Sequence, residues 1–182
     1  MKNNGNNRIT NCHVVGGEIH GDDILGGIAG GSWGDVARAT IAQCSNSAKL
    51  ETTATGGNGC TGGIVGYLVI GSFSDCINSG NIIGFSPDLT AGIVGTSGRA
   101  GLGSITIKNC LNVADIKGKT SGSYAAPITN YLYTASNNYF DYNVMPVAST
   151  SGITGLTTTQ IQSWAFAYKM NGENMYGPWK FT

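Results

Sequence analysis

Apolar and polar residues alternate in short bursts along this chain, with no long helical runs before the last third. Ser104-Ile105-Thr106-Ile107, Ser72-Phe73 and Arg8-Ile9 are short and rich in β-branched or aromatic side chains, and each stops at an Asn or Asp. That pattern reads as a strand that reaches a corner, with Asn11, Asp75 and Asn109 at the bend and Gln43 as the odd member. A cysteine follows each bend, in ITNC (Cys12), IAQC (Cys44), FSDC (Cys76) and IKNC (Cys110), at spacings of 32, 32 and 34 residues. Two residues beyond three of these cysteines comes another Asn: Asn46, Asn78 and Asn112. A turn and a second short strand come next, in Glu18-Ile19-His20, Asn81-Ile82-Ile83 and Asp115-Ile116-Lys117. The refrain LGGIAG (Leu25 to Gly30), TGGIVG (Thr61 to Gly66), AGIVG (Ala91 to Gly95) and the eroded AAPIT (Ala125 to Thr129) supplies a third strand, in which Ile64 and Ile93 point one way.

Self-similarity at such a period marks a stacked architecture, each unit burying its apolar face against its neighbours. Three strands per repeat predict a right-handed parallel β-helix of about four coils. Residues 1–135 form its repeats, and residues 136–182 a C-terminal capping segment of the same structural domain. Equivalent residues then stack about 4.8 Å apart. The Asn side chains can hydrogen-bond up the stack. The four cysteines form an internal ladder of reduced thiols, because in-register Cβ atoms lie roughly 5 Å apart where a disulfide prefers about 3.8 Å. Cys60 stands outside the ladder in a Gly-rich loop, either exposed and reactive or tucked beneath it.

The last third changes period. Thr157 and Gln160 have capping-box spacing, and Ile161, Trp164, Ala165 and Tyr168 recur at i, i+3, i+4 and i+7, which predicts one helix over about 157–171 with those four facing inward. Such a helix would plug the open end of the stack, with Trp179 and Phe181 finishing the lid.

Composition narrows the function. Ten basic and ten acidic residues give a formal net charge of zero, so the basic face of a nucleic-acid or anionic-membrane binder is not expected. No apolar run is long enough to insert into a membrane, and Met1-Lys2-Asn3-Asn4 lacks the apolar stretch of a signal peptide. The sequence therefore reads as cytosolic or as a fragment whose export signal has been removed.

For chemistry, Glu18-Ile19-His20-Gly21-Asp22-Asp23 is the best constellation. It has no counterpart in later coils, so no catalytic residue is assigned. Asp22 and Asp23 are the only candidate metal ligands, and neither EF-hand nor nonapeptide spacing supports them. No cofactor is implied. Recognition would fall to loops after the third strand, which makes Trp33, Arg38, Tyr67 and Arg99 the candidate ligand-binding residues.

The phrase x-N-C-x-N-x-G-x-I-x-G followed by G-G-I-V-G resembles the GLUG-type repeat over roughly residues 8–130. Such repeats occur in large secreted and cell-surface bacterial proteins, including adhesin-like proteins of gut Bacteroidetes and Firmicutes and the non-catalytic region of some IgA-specific metalloproteases. Cys44 to Gly66 and Cys76 to Gly95 carry the resemblance best. The first repeat departs at Val14, and the fourth replaces GGIVG with AAPIT. The resemblance implies an extracellular β-solenoid, part of a longer chain, used as a stalk or adhesive surface toward a host glycan or extracellular protein, and it brings no enzymatic residues. The alternative is a carbohydrate-active β-helix enzyme or carbohydrate-binding domain.

Overall fold

The computed structural model of the protein describes residues 6–32, 38–55, 59–97, 103–131, 133–177 and 179. The first coil carries β1 (Asn6–Thr10), β2 (His13–Val14), β3 (Glu18–Gly21), β4 (Ile24–Gly26) and β5 (Ala29–Ser32). The second repeats them as β6 (Arg38–Ala42), β7 (Ser45–Asn46), β8 (Lys49–Thr52), β9 (Cys60–Gly62) and β10 (Val65–Leu68). The third has β11 (Ile70–Ser74), β12 (Ile77–Asn78), β13 (Ile82–Gly84), β14 (Thr90–Ala91) and β15 (Val94–Ser97). The fourth has β16 (Ile105–Lys108), β17 (Leu111–Asn112), β18 (Ile116–Gly118) and β19 (Thr129–Tyr131). A partial fifth follows as β20 (Tyr133–Ser136) and β21 (Asn138–Asp141), and then β22 (Ile153–Leu156).

The first three coils each add one strand to every sheet in parallel register, the fourth adds a strand to all but the fourth sheet, and the partial fifth extends the first and second sheets. The first sheet runs β1-β6-β11-β16-β20, the second β2-β7-β12-β17-β21-β22, the third β3-β8-β13-β18, the fourth β4-β9-β14, and the fifth β5-β10-β15-β19. The protein is a parallel β-solenoid of about four turns. Its strands are shorter and more numerous than three per repeat. The GGIVG refrain is not a strand but a corner: Leu25 and Gly26 end β4, Gly27 and Ile28 turn, and Ala29 opens β5. Ile64 and Ile93 point inward and are fully buried beside Leu50, Phe73, Ile82, Ile105, Ile107 and Ile116.

The corner before each cysteine is left-handed throughout. Asn11, Gln43, Asp75, Asn109 and Asn137 have φ of 60°, 55°, 55°, 57° and 53°. Asn and Asp tolerate that region better than other side chains, which explains their recurrence. Asn137 marks a fifth corner, so regular pairing runs on through the segment read as a cap.

The C-terminal element differs from expectation in both shape and place. Thr157 and Gln160 do form a capping box, with Gln160 N donating to Thr157 Oγ1 at 3.2 Å and Thr157 N donating to Gln160 Oε1 at 2.8 Å. The helix they open, α1 (Thr158–Ile161), ends after one turn. Ser163 then caps a second, α2 (Trp164–Met170), by accepting from Phe166 N. The break shifts the inward face, so Ile161, Phe166, Ala167 and Met170 are buried while Trp164 is 63% exposed and Ala165 is exposed. This face does not plug the end. It lies on the outside of the second sheet, against Leu111 and Tyr139. Phe166 meets the Tyr139 ring edge-on at 5.2 Å, Lys169 Nζ lies 5.1 Å from that ring's centroid, and Asn109 Nδ2 donates to Met170 O at 2.7 Å.

The apolar filling of the last coil is completed instead by Phe140, Met145 and Ile153 with Val144 and Val147. Removing residues 157–182 should therefore leave the solenoid intact. Its parallel-β circular dichroism is expected to persist while the bared Leu111–Tyr139 flank binds a hydrophobic dye and promotes self-association. Loss of the β signal would show the helices to be essential to the stack.

Candidate functional site

The internal repeat positions are absorbed by the architecture. Cys44, Cys76 and Cys110 are buried and unbridged, and their sulfurs point back to the preceding strand, reaching Ala42 O, Ser74 O and Lys108 O at 3.3 Å each. Cys12, expected in the same buried ladder, is exposed because it belongs to the outermost coil among the described residues. At the other end Asn138 takes the cysteine position, accepting from Cys110 N at 3.0 Å and donating to Ile107 O at 3.0 Å. The Asn ladder is continuous: Asn46 Nδ2 donates to Asn78 Oδ1 at 3.0 Å, and Asn78 Nδ2 to Asn112 Oδ1 at 2.9 Å. Asn112 Nδ2 then meets Met145 Sδ at 3.3 Å.

Cys60 is tucked away in a satellite cluster with Tyr67 and Val69. Burial is the main cause that pushes its thiol above the ordinary value of 9.0. The hydrogen bond with the Cys76 sulfur, then burial, drives the Cys44 thiol far above that value, and the Cys110 sulfur does the same to Cys76. One thiol, Cys12, should react in the native state, and four more only on unfolding. The linkage sign follows from a raised folded-state pKa. Below about pH 9 the three thiols are protonated in both states and stability does not depend on them. Above it the unfolded chain releases their protons first, and each destabilises the fold by about 1.4 kcal/mol per pH unit. Urea titrations at pH 8 and pH 10 measure this, and a Cys44→Ser, Cys76→Ser variant should lose part of the slope.

The Glu18–Asp23 constellation resolves into an ordinary ion-pair array on the outer face of the third sheet. His20 Nε2 lies 3.1 Å from Glu18 Oε2, Lys49 Nζ lies 3.1 Å from Glu51 and 3.9 Å from Glu18, and Lys119 Nζ lies 3.4 Å from Glu51. Lys117 pairs with Asp115 at 2.6 Å in the same sheet. Hydrogen bonds from Lys49 and Lys119 hold the Glu51 carboxyl below the usual carboxylate range. Asp22 and Asp23 are exposed, and Asp22 contributes its carbonyl, which accepts from Thr52 Oγ1 at 3.0 Å. Among the described residues no three His, Cys, Asp or Glu side chains are grouped as metal ligands would be.

Of the four recognition candidates, Trp33 and Arg99 lie outside the described residues. Tyr67 is a correction: it lies within β10 and not in a loop, and at only 8% exposed it packs beside Cys60 and Val69 against Ile24, Ile70 and Leu89 rather than presenting a ring. Arg38 is exposed at the start of β6, and it belongs to a surface that no single segment of sequence reveals.

That surface is the outer face of the first sheet. Pairing aligns Arg8, Thr40, Ser72, Thr106 and Thr134 in one row along the solenoid axis. A flanking row aligns Thr10, Ala42, Ser74, Lys108 and Ser136. Arg38 stands beside Ile70 in a third row at the strand starts. The inward alternates Ile9, Ile41, Phe73 and Ile107 fix which residues face out, since successive strand side chains point to opposite faces. Arg8, Arg38, Thr40, Ser72, Ser104 and Thr106 line a shallow open trough of about 680 Å³. The period-2 alternation in RATIA, IGSFS, ITIK and YTAS carries the only sequence signal, and it becomes a surface only through the register between coils.

Fold and surface together define a parallel β-solenoid with one flat, hydroxyl-lined cationic flank. Comparison of the chain with family models, with curated proteins and with solved structures finds no match in any of the three. Among the described residues no helix is long and apolar enough to cross a membrane.

Proposed function

We propose that the protein is a non-catalytic solenoid module of the GLUG-repeat type on a bacterial surface or in a bacterial secretion, acting by presenting the outer face of its first sheet to a host glycan or extracellular protein. The observation that carries this reading is the division of labour among repeated positions. Cysteine, asparagine and glycine repeats are consumed by stacking, and the charged third sheet satisfies its own ion pairs. Among the described residues the first sheet alone repeats exposed polar groups whose side chains, apart from the Ser72–Thr40 hydrogen bond, the fold does not use. Catalysis needs a fixed constellation of groups with matched roles, and the Glu18–His20 pair is engaged with Lys49 and Glu51 in the array of the third sheet. A glycan and extracellular-matrix array tests the reading, with Trp33→Ala and Arg38→Gln proteins alongside. Retention that weakens in Arg38→Gln supports it, and release of reducing sugar from any glycan overturns it.

A further inference from the structure

The distribution of charge on the first sheet says which ligand it suits. On its outer face Arg8, Arg38 and Lys108 are exposed, and β1, β6, β11, β16 and β20 contain no Asp or Glu. In a chain with ten charges of each sign, the five described strands of this face thus carry three cations and no anion. The third sheet shows the contrast, its Lys49, Lys117 and Lys119 each within 4 Å of a carboxylate. Among the described residues, Arg8, Arg38 and Lys108 form no such pair.

Between the cations run hydroxyls. Thr10, Thr106, Thr134 and Ser136 are exposed and make no side-chain hydrogen bond with the described residues. Only Ser72 and Thr40 touch each other, at 3.4 Å. A hydroxyl can donate and accept, so a row of them at the strand spacing of about 4.8 Å matches a polymer that offers both kinds of group at a similar advance. An extended polysaccharide does so, while a protein strand laid along the axis would cross the strands and find no ladder edge. The guanidinium forks of Arg8 and Arg38 suit planar or tetrahedral oxyanions bidentately.

We infer that the first sheet binds an extended acidic polysaccharide laid along the solenoid axis, its carboxylate or sulfate groups on Arg8, Arg38 and Lys108 and its hydroxyls on the Thr40–Ser72–Thr106–Thr134 row. This rests on the surface-module reading and specifies its ligand class. The contact is a surface one, so it weakens with ionic strength.

The test is equilibrium binding of the whole protein to polygalacturonate, dextran sulfate, neutral dextran and poly(dT). The inference expects binding to at least one of the two acidic polysaccharides, and which one binds separates carboxylate from sulfate recognition. Neutral dextran should not bind. Arg8→Gln combined with Arg38→Gln should lower affinity at least about tenfold, as expected for losing two charge-assisted contacts. Thr106→Val with Thr134→Val keeps charge, shape and strand preference, and should lower it several-fold.

Poly(dT) binding as tight as the acidic polysaccharide, with no effect of the valine pair, would reveal a mere polyanion surface and overturn the inference. So would affinity unchanged by the arginine pair in a protein of unaltered circular dichroism, or no binding to either acidic polymer. Binding to neutral glycans or matrix proteins alone would overturn the acidic ligand and leave the surface-module reading standing, whereas cleavage of a polymer would overturn that reading too.

Discussion

Gly63→Ala is expected to yield no folded protein. A Cβ at this position would lie 2.1 Å from Gly92 O and 2.4 Å from Asn78 Cγ. The first is backbone and the second a fully buried ladder side chain, so neither can give way. The same holds in the neighbouring coils, where a Cβ on Gly27 would stand 2.5 Å from Asn46 Cγ, and one on Gly92 would stand 2.6 Å from Asn112 Cγ and 2.1 Å from Pro127 O. The glycine refrain and the asparagine refrain are therefore one device: each Asn amide occupies the space left by the missing side chain of a glycine in the coil before. Ordinary overpacking costs about 1–3 kcal/mol because flexible side chains move aside. Here the displaced groups are the backbone carbonyl of Gly92 and the fully buried Asn78 amide, and the loss should exceed about 4 kcal/mol, a large part of a typical domain's stability. Soluble yield and urea unfolding measure it. Gly122 is the control, since no atom lies within 4 Å and only its φ of +64° opposes a side chain. Gly122→Ala should cost about 1 kcal/mol. A Gly63→Ala protein with a wild-type unfolding midpoint would disprove the interlocking.

Asn78→Leu comes next in effect. The amide accepts from Asn46 Nδ2 at 3.0 Å and Gly80 N at 3.3 Å, and donates to Asn112 Oδ1 at 2.9 Å and Gly80 O at 3.0 Å, all without solvent contact. Leucine is similar in size but satisfies none of these groups. Each buried polar group left bare costs about 1–3 kcal/mol. Asn46 Nδ2 still reaches Ala48 O and Asn112 Oδ1 still accepts from Ala114 N, so the main casualties are the two Gly80 groups. A loss of about 4 kcal/mol is expected, read as a lowered urea midpoint. Ser79→Ala, one residue along on an exposed turn, should shift stability by less than about 0.5 kcal/mol. An Asn46→Ala, Asn78→Ala pair should cost less than the sum of its singles, because the two share a hydrogen bond.

Sequence made the stacking legible because stacking repeats. The Asn11, Asp75 and Asn109 corners, the Asn46–Asn78–Asn112 chain and the Cys44–Cys76–Cys110 ladder stand where the period puts them. What depends on position within the stack was not legible. Cys12 obeys the same local phrase as Cys44, yet it is exposed, since burial belongs to neighbouring coils and not to the phrase. The inward face of the terminal helices was misplaced because the i, i+3, i+4, i+7 pattern from Ile161 to Tyr168 spans the break at Gln162 and Ser163. Ser163 begins a new helix with its own cap, and the periodic count does not carry across it. Tyr67 read as a loop aromatic, but it packs in a cluster with Cys60 and Val69 that also draws in Ile24 and Leu89 from the neighbouring coils. The first-sheet flank was the hardest to see. Threonine and serine beside isoleucine are unremarkable in any one strand, and they become a row only when five strands are brought into register.

The asparagine chain also has a direction. Each Nδ2 reaches toward the next coil, and the last finds the weakly accepting sulfur of Met145, beside a rung where Phe140 stands in place of the amide and Pro127 in place of the glycine. A duplicated repeat placed inside the run would find a donor on one side and an acceptor on the other, whereas one appended after Asn112 would meet a thioether and a phenyl ring. Length in this molecule is thus a quantity that can be edited from the middle. Each inserted unit extends the reach by one strand spacing, about 4.8 Å, and adds a row position to the outer face without disturbing the terminus.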